Sequence, residues 1–231
     1  MRAEPFAAIA DVHGNRWALE AVLSDIHRRG IRQIVNLGDH LFGPLDMDGT
    51  AEILQRLDLP TVSGNQDREM LGGKHDAWLA TLPFELELPG MLLFHGTPVK
   101  DYEYLLDSVR SEGVTLATAG EIRDRLGPGP FPPLLLCGHT HIPRTVLCCS
   151  TLIVNPGSIG LQAYADDTPL PHVMETGSPH ARYAILEGKP GGWHVEHIQI
   201  AYDWEAAAEM ALRNGRPDWA FRLRTGRAVP T

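Results

Sequence analysis

The chain has 231 residues, of which 43% are hydrophobic and 21% charged, and its formal net charge is -9. This composition predicts a globular protein with an ordinary buried core. The acidic charge argues against a groove that tracks long nucleic acid, although bound metal ions can supply positive charge for a small anionic substrate.

Three further patterns bear on the cellular setting. The three cysteines, Cys137, Cys148 and Cys149, are few and odd in number, which favours a reducing compartment over a disulfide framework. The apolar run at 6–10 is too short for a signal-peptide core. No run approaches the roughly 18 apolar residues of a membrane span. The sequence therefore predicts a soluble, cytoplasmic protein that does not enter a membrane.

The first half of the chain alternates between strand and helix patterns. Strands are predicted at 6–10, 33–37, 61–63 and 91–94, and helices after Asn15, from Asp48 to Pro60 and at 76–82. Such alternation is typical of an α/β fold with a largely parallel sheet. The region 101–129 is predicted to be helical and loop-like, as a lid or flanking layer.

The second half is predicted to be mainly antiparallel. Strand pairs are expected at 144–149 with 151–154, and at 182–186 with 194–200. Asp203 is placed to cap a helix that runs to Asn214, and Pro217 to start a short last helix. We therefore expect one domain over 1–231, with 203–231 as a helical extension packed on it.

Polar side chains that can bind metals follow five apolar or turn segments. They are Asp11 and His13, Asp39, Asn65, His95, and the pair His139 and His141. Ligands of α/β sheets bind beyond the carboxyl ends of the strands, and alternate residues of an extended chain point to one side. We expect the seven side chains to meet there. The set suits Mn, Fe, Zn, Ni or Co better than Ca.

Seven ligands are too many for one ion with an open position, but they suit two ions that share a bridging carboxylate. Two such ions, about 3.5–4 Å apart, can activate a hydroxide and clamp a phosphoryl group.

The ordered motifs resemble those of the calcineurin-like metallophosphoesterase superfamily, in particular its small bacterial and archaeal phosphodiesterases. The resemblance is carried by Asp11-Val12-His13, Gly38-Asp39, Gly64-Asn65, His95, Gly138-His139-Thr140-His141 and the closing Asn155-Pro156-Gly157-Ser158. It spans residues 6–158. It implies a four-layer αββα sandwich, in which two mixed β-sheets are flanked by helices.

The resemblance also implies roles for individual residues. Asp11, His13 and His141 would hold one divalent ion, and Asn65, His95 and His139 the other. Asp39 would bridge the two ions, with Mn²⁺ the favoured metal. Asn15 and Asn65 would lie at the substrate phosphate. The nucleophile would be a hydroxide that bridges the ions.

One position departs from the family pattern. Gln66 stands where many members have a histidine that protonates the leaving oxygen or stabilises the phosphoryl charge. Glutamine can donate a hydrogen bond but not a proton, and general acid catalysis is worth roughly 10²–10⁴-fold. The sequence thus favours substrates whose leaving group needs little protonation. His40 is a possible substitute acid, with a bracing or surface role as the alternative, and Asp67 is expected to brace the loop.

The predicted function is metal-dependent hydrolysis of a small phosphodiester or phosphomonoester, with a diester or nucleotide favoured. One alternative is a catalytically silent binding or scaffold module with the same fold. The complete ligand set argues against this alternative, and the loss at Gln66 argues for it. Hydrolysis of a carboxylic amide or ester is a third reading, for which no carbonyl pocket is evident. Homo-oligomers stay possible.

Overall fold

In the computed structural model, which describes residues 4–70 and 72–229, two β-sheets lie face to face. The strands are β1 Phe6–Ile9, β2 Gln33–Asn36, β3 Glu85–Leu88, β4 Met91–Phe94, β5 Asp107–Arg110, β6 Gly113–Leu116, β7 Leu134–Leu136, β8 Arg144–Cys148, β9 Thr151–Asn155, β10 Ala163–Asp166, β11 His172–Glu175, β12 Ala181–Lys189 and β13 Gly192–Ile200. The helices are α1 Arg16–Arg28, α2 Met47–Leu57, α3 Asn65–Glu69, α4 Asp76–Leu79, α5 Ala119–Leu126, α6 Trp204–Arg213 and α7 Pro217–Thr225.

The four-stranded sheet has the order β13-β12-β1-β2, and its strand β1 is buried on both faces. Ala7 and Ile9 pack towards the outer helices, whereas Phe6 and Ala8 pack towards the other sheet. A strand covered on both sides needs apolar residues at every position, which explains its unbroken hydrophobic run. β1 pairs parallel to β2 and antiparallel to β12.

The five-stranded sheet has the order β3-β4-β7-β9-β8. Its central strand β7 also faces two cores, because Leu134 and Leu136 enter the space between the sheets and Leu135 packs outwards. β7 is parallel to β4 and β9, so the carboxyl ends of all three strands lie at one edge of the sheet.

Helices cover the outer faces of both sheets. Apolar residues of α1, α2, α6 and α7 join the core on the outside of the four-stranded sheet. Ile122 and Leu126 of α5 join the core on the outside of the five-stranded sheet. The layers therefore run helix, sheet, sheet, helix, and the predicted four-layer αββα sandwich is confirmed. No described helix is long and apolar enough to cross a membrane.

The C-terminal helices α6 and α7 pack within the same core as α1 and α2. This packing agrees with a helical extension at 203–231 on a single domain over 1–231, which stays a prediction. Residues 1–3, 71, 230 and 231 of that range lie outside the described residues.

Several predicted elements differ from those observed. Residues 61–63 form only a single bridge, between Thr61 and Asn36. The second helix is capped by Asp46 and ends where Asp58 takes a left-handed conformation, two residues before the predicted stop. The fourth helix is shorter than predicted and covers Asp76–Leu79.

Three strand regions were not predicted. The segment 101–129 contains the hairpin β5–β6 before helix α5, and the hairpin β10–β11 and the edge strand β3 are also new. β3, β6 and β10 have exposed and half-buried residues among few buried ones. Because they are short and mixed in polarity, their hydrophobic pattern is weak.

Candidate metal centre

The loops that carry the candidate ligands continue the strand pairing beyond the strand ends. The N–H groups of Asp11 and His13 donate to the carbonyls of Gly38 and Asp39, both at 3.0 Å. In the other sheet, Gly138 N–H donates to the His95 carbonyl at 2.7 Å. Ligand loops from neighbouring strands therefore stay side by side, and both sheets contribute to one site.

Six of the seven predicted ligands form two clusters. Asp11, His13 and His141 make the first cluster, and Asp39, His95 and His139 make the second cluster. Within each cluster the ligand atoms lie within 4.8 Å of one another.

Asp39 lies between the two clusters. Its Oδ2 is 3.3 Å from His95 Nε2 and 4.0 Å from His13 Nε2. Asp11 Oδ1 lies 3.3 Å from His141 Nε2 and 3.9 Å from His95 Nε2. The two clusters are therefore adjacent, and the position of Asp39 is the one that a carboxylate shared by two ions requires.

Backbone carbonyls orient His13, His95 and His141. His13 Nδ1 pairs with Phe42 O at 3.0 Å, His95 Nδ1 with Leu37 O at 2.7 Å, and His141 Nδ1 with Leu161 O at 2.6 Å. A carbonyl oxygen only accepts hydrogen bonds, so each Nδ1 carries a hydrogen. Each Nε2 is thereby directed into the site, which is the usual arrangement of metal-binding histidines.

The donor set fits divalent metal ions. His13 Nε2 and His141 Nε2 lie 3.1 Å apart, and both atoms are directed into the site. Asn65 Oδ1 is buried and has no hydrogen-bond partner among the described residues. Cations would satisfy these atoms, and the mixture of imidazole, carboxylate and amide suits a transition metal. Asn65 also lines the cavity onto which both clusters open.

The electrostatics of the second cluster are dominated by burial and by the carboxylates. Burial lowers the pKa of His95, but the charges of Asp39 and Asp11 outweigh this effect and raise that pKa to about 10. Burial and the charge of His95 lower the pKa of His139 to about 4. Without metal, the carboxylates therefore favour a protonated His95, and a bound metal ion would displace that proton.

Five candidate ligands have a left-handed backbone conformation. Their φ angles are 55° for Asp11, 51° for His13, 55° for Asp39, 71° for His139 and 60° for His141. Residues other than glycine enter this region at a cost of order 1–3 kcal/mol each. The surrounding hydrogen bonds hold the chain in these sharp turns, which aim the side chains into the site.

Gly64 and Asp67 hold the loop that carries Asp39. A Cβ atom on Gly64 would overlap Asp39 Oδ1, so this position excludes any side chain. The Asp67 carboxylate accepts hydrogen bonds from the backbone N–H groups of Asp39, His40 and Gly64, at 2.9, 2.8 and 2.8 Å. It also pairs with His40 Nδ1 at 2.7 Å. These contacts agree with the bracing role expected for Asp67.

The closing motif 155–158 connects the ligand loops of the two sheets. The Asn155 amide donates to Gly138 O at 2.6 Å and to Thr140 Oγ1 at 3.1 Å. Ser158 Oγ donates to the backbone carbonyl of Asp11 at 2.8 Å. The motif thus acts through loop geometry and supplies no ligand.

Two predicted site residues need correction. Asn15 is buried, and its amide donates to Gly160 O at 2.9 Å and to Tyr202 OH at 3.2 Å. Both amide hydrogens are therefore committed, and Asn15 is not a donor to substrate phosphate. Its Oδ1 accepts the Ala18 N–H at 3.2 Å, so the predicted helix cap is present.

His40 is the second correction. The side chain is completely buried, binds Asp67 through Nδ1 and packs against Trp78, with ring centroids 5.3 Å apart. A histidine enclosed in this way cannot reach a leaving group at the cavity, so it is not the substitute acid. The bracing role, which was the alternative for His40, agrees with these contacts.

The metal-ligand clusters open onto a cavity of about 210 Å³. Gln66 lines this cavity, and its backbone N–H donates to Asp39 Oδ1 at 3.1 Å. The cavity adjoins a larger one of about 510 Å³, since Asn65, His139 and Asp166 line both. The site therefore has two lobes, with ligands of the second cluster where they meet.

Two residues at the smaller lobe escaped prediction from sequence. Arg216 and Arg222 of the C-terminal segment line this cavity together with His13, His141 and Gln66. They belong to no motif, and arginines near the end of a helix are usually solvent-exposed. The only signal in the sequence is the concentration of arginine at 213–227 in an otherwise acidic chain.

Facing mixed sheets with paired ligand clusters at their strand ends form the architecture of a metallophosphoesterase. Comparison with known families agrees, because the model of the calcineurin-like phosphoesterase superfamily domain matches residues 5–176. The chain belongs to the calcineurin-like phosphoesterase superfamily.

Similar proteins extend the likeness beyond residue 176. An uncharacterised protein of Methanocaldococcus jannaschii is 28% identical over 247 residues, covering 96% of this chain and 98% of its own length. The structure of a metallophosphoesterase from Sphaerobacter thermophilus has a TM-score of 0.75 at 24% identity and covers 97% of this chain and 100% of its own. A hypothetical protein from Pyrococcus horikoshii has a TM-score of 0.73 at 18% identity, with coverages of 97% and 99%. These two structures show a shared fold.

Proposed function

We propose that the chain is a metal-dependent hydrolase of small phosphate esters, with a phosphodiester or nucleotide favoured over a monoester. The observation that carries the proposal is the position of Asp39 Oδ2, 3.3 Å from His95 Nε2 and 4.0 Å from His13 Nε2, between the two ligand clusters. Such an arrangement suits two divalent ions that share one carboxylate.

The proposed ligand assignment follows the two clusters. Asp11, His13 and His141 would hold one ion, Asn65, His95 and His139 the other, and Asp39 both. Two divalent ions would supply acidification of a water molecule and neutralisation of phosphoryl charge. Mn²⁺ is the favoured metal, with Fe, Zn, Ni and Co as alternatives.

Residues beside the clusters support a preference for good leaving groups. Asn65 and Gln66 line the cavity, where their amide hydrogens can bind phosphoryl oxygens. Neither amide can give up a proton at neutral pH, and His40 is buried against Asp67 and Trp78. The leaving oxygen of the favoured substrate should therefore depart as a stable anion, as it does from an aryl phosphodiester.

A catalytically silent binding module remains the main alternative from the sequence. The two clusters of candidate ligands and the strained backbone at five of these residues support an active centre instead, because strain of this kind concentrates at functional sites. The single domain, the cytoplasmic location and any homo-oligomer stay predictions.

The test is a hydrolysis assay on protein stripped with a chelator and reloaded with Mn²⁺. Matched substrates are p-nitrophenyl phosphate and bis(p-nitrophenyl) phosphate, which share one leaving group. We expect metal-dependent turnover, faster on the diester. Full metal loading with no turnover of either ester would favour the silent module.

A further inference from the structure

Helix α7 brings two guanidinium groups to the wall of the cavity that holds the metal-ligand clusters. Arg216 precedes the helix and Arg222 lies in its last turn. Between them, Trp219 is buried against the first cluster, with its ring centroid 6.0 Å from that of His13. The contact fixes the helix over the site, so the two arginines have a defined position there.

The positive charge of this pair is only partly compensated. Arg216 donates two hydrogen bonds to the Asp218 carboxylate, at 2.9 and 2.7 Å. Arg222 Nη2 lies 3.5 Å from Oδ2 of the same carboxylate. Two cations therefore share one anion. The exposed Asp166, whose carboxylate accepts the Thr168 N–H at 2.8 Å, is the other acidic group of this lobe besides the candidate ligand Asp39.

Arg222 is the better candidate to bind an external anion. Its side chain is only 13% exposed. Burial lowers the pKa of Arg222; the charge of Asp218 opposes this effect and the charge of Arg216 adds to it. A guanidinium that is largely withdrawn from water and has one long ionic contact gains free energy when an anion approaches. The geometry of a guanidinium also matches the paired oxygens of a phosphoryl group.

We infer that Arg216 and Arg222 bind a second phosphoryl group of the substrate, beside the one that reacts, and that the substrate is an organic pyrophosphate. This inference rests on the proposed function. The second lobe, of about 510 Å³, would hold the organic group, because Tyr102 and Tyr104 line it next to Asn65 and His139.

A pyrophosphate also suits a site without a general acid. The oxygen of water forms a bond to the phosphorus that carries the organic group, and the bond from this phosphorus to the bridging oxygen breaks. The bridging oxygen leaves with the electron pair as part of inorganic phosphate, while the excess proton of water passes to solvent. Phosphate is a stable leaving anion, and the two arginines stabilise it further.

The test compares variants of α7 on two substrates of the Mn²⁺-loaded protein. One is a nucleoside diphosphate, and the other is bis(p-nitrophenyl) phosphate, which has no second phosphoryl group. Arg222→Gln and Arg216→Gln should lower kcat/KM for the diphosphate by about 10–100-fold and for the diester by less than about threefold. Arg222→Lys should restore part of the loss.

Arg224→Gln is the matched control. Arg224 lies two residues further along the same helix but pairs with Glu205 at 2.9 Å. We expect this variant to keep both activities. Calorimetric binding of a nucleoside α,β-methylene diphosphate should weaken in Arg222→Gln and not in Arg224→Gln. In ¹⁸O-labelled water, the label should enter the organic monophosphate.

Three results would overturn the inference while leaving the proposed function intact: equal losses on both substrates, unchanged diphosphate kinetics and binding, or a wild type that hydrolyses only the diester. If Arg222→Gln does not fold, the kinetics of Arg216→Gln and the position of the ¹⁸O label in the wild-type products still test the inference. Absence of metal-dependent hydrolysis of either substrate would instead refute the proposed function.

Discussion

His13 Nε2 and His141 Nε2 lie 3.1 Å apart, while the Nδ1 atom of each ring is hydrogen-bonded to a backbone carbonyl. If both rings are neutral, neither Nε2 carries a hydrogen, and two lone pairs face each other inside the protein. This arrangement is unfavourable without a cation. Metal binding and stability of the fold should therefore be coupled.

The first prediction concerns that coupling. Mn²⁺ at a free concentration about 100-fold above its Kd should stabilise the protein by about 2.7 kcal/mol and raise Tm by about 5–10 °C. Differential scanning calorimetry of chelated and reloaded protein measures the shift. His13→Ala should reduce it, whereas the exposed His194→Ala should retain it. Equal Tm values with and without metal would contradict the coupling.

The second prediction concerns Asp39, which lies between the two clusters. Asp39→Asn removes the charge with little change in shape. It should therefore weaken the binding of both ions and lower kcat/KM at least about 100-fold. The exposed Asp48→Asn makes the same chemical change away from the site and should keep full activity. Near wild-type turnover of a folded Asp39→Asn protein would refute the bridging assignment.

The third prediction concerns Asp67, whose carboxylate receives three buried backbone N–H groups and the ring of His40. Asp67→Ala leaves these donors without partners and should lower the free energy of unfolding by roughly 3–5 kcal/mol. Urea denaturation measures the change. Asp76→Ala removes one exposed hydrogen bond, to Gly72 N–H at 2.8 Å, and should lower the free energy of unfolding by less than about 1 kcal/mol. Similar losses in both variants would argue against the bracing role.

The fourth prediction concerns Gln66, which lines the cavity and whose Oε1 is buried without a hydrogen-bond partner among the described residues. Gln66→His supplies a proton donor at this place. Turnover should rise most for alkyl phosphodiesters, whose leaving groups need protonation, and least for aryl ones. Gln55→His, on the exposed side of α2, is the control. A uniform decrease across the substrate series would show that the missing acid does not limit the reaction.

The central strands could be predicted from their apolar runs, whereas the four-layer arrangement was implied by the family resemblance. The runs at β1 and β7 are apolar at every position, since each strand faces two cores. The short strands β3, β6 and β10 have mixed burial, and their partners are set by tertiary contacts that local patterns do not encode. The sequence also did not reveal that β1 and β7 belong to different sheets.

The candidate ligands could be found in the sequence because they follow the predicted strand ends. Their backbone conformation and the residues packed around them could not be predicted. The left-handed backbone at Asp11 and His139 is imposed by hydrogen bonds from distant loops. The inward position of Arg222 depends on how α7 packs, which its own sequence does not show. Asn15 was misassigned because a buried amide and a substrate-binding amide look the same in sequence.

The most direct test of the two-metal centre is the metal content of the wild-type protein, measured by mass spectrometry after chelation, reloading with Mn²⁺ and removal of free ions. The ligand set predicts about two tightly bound ions per chain, with fewer in Asp39→Asn. A folded wild-type protein that retains no metal under these conditions would contradict the account.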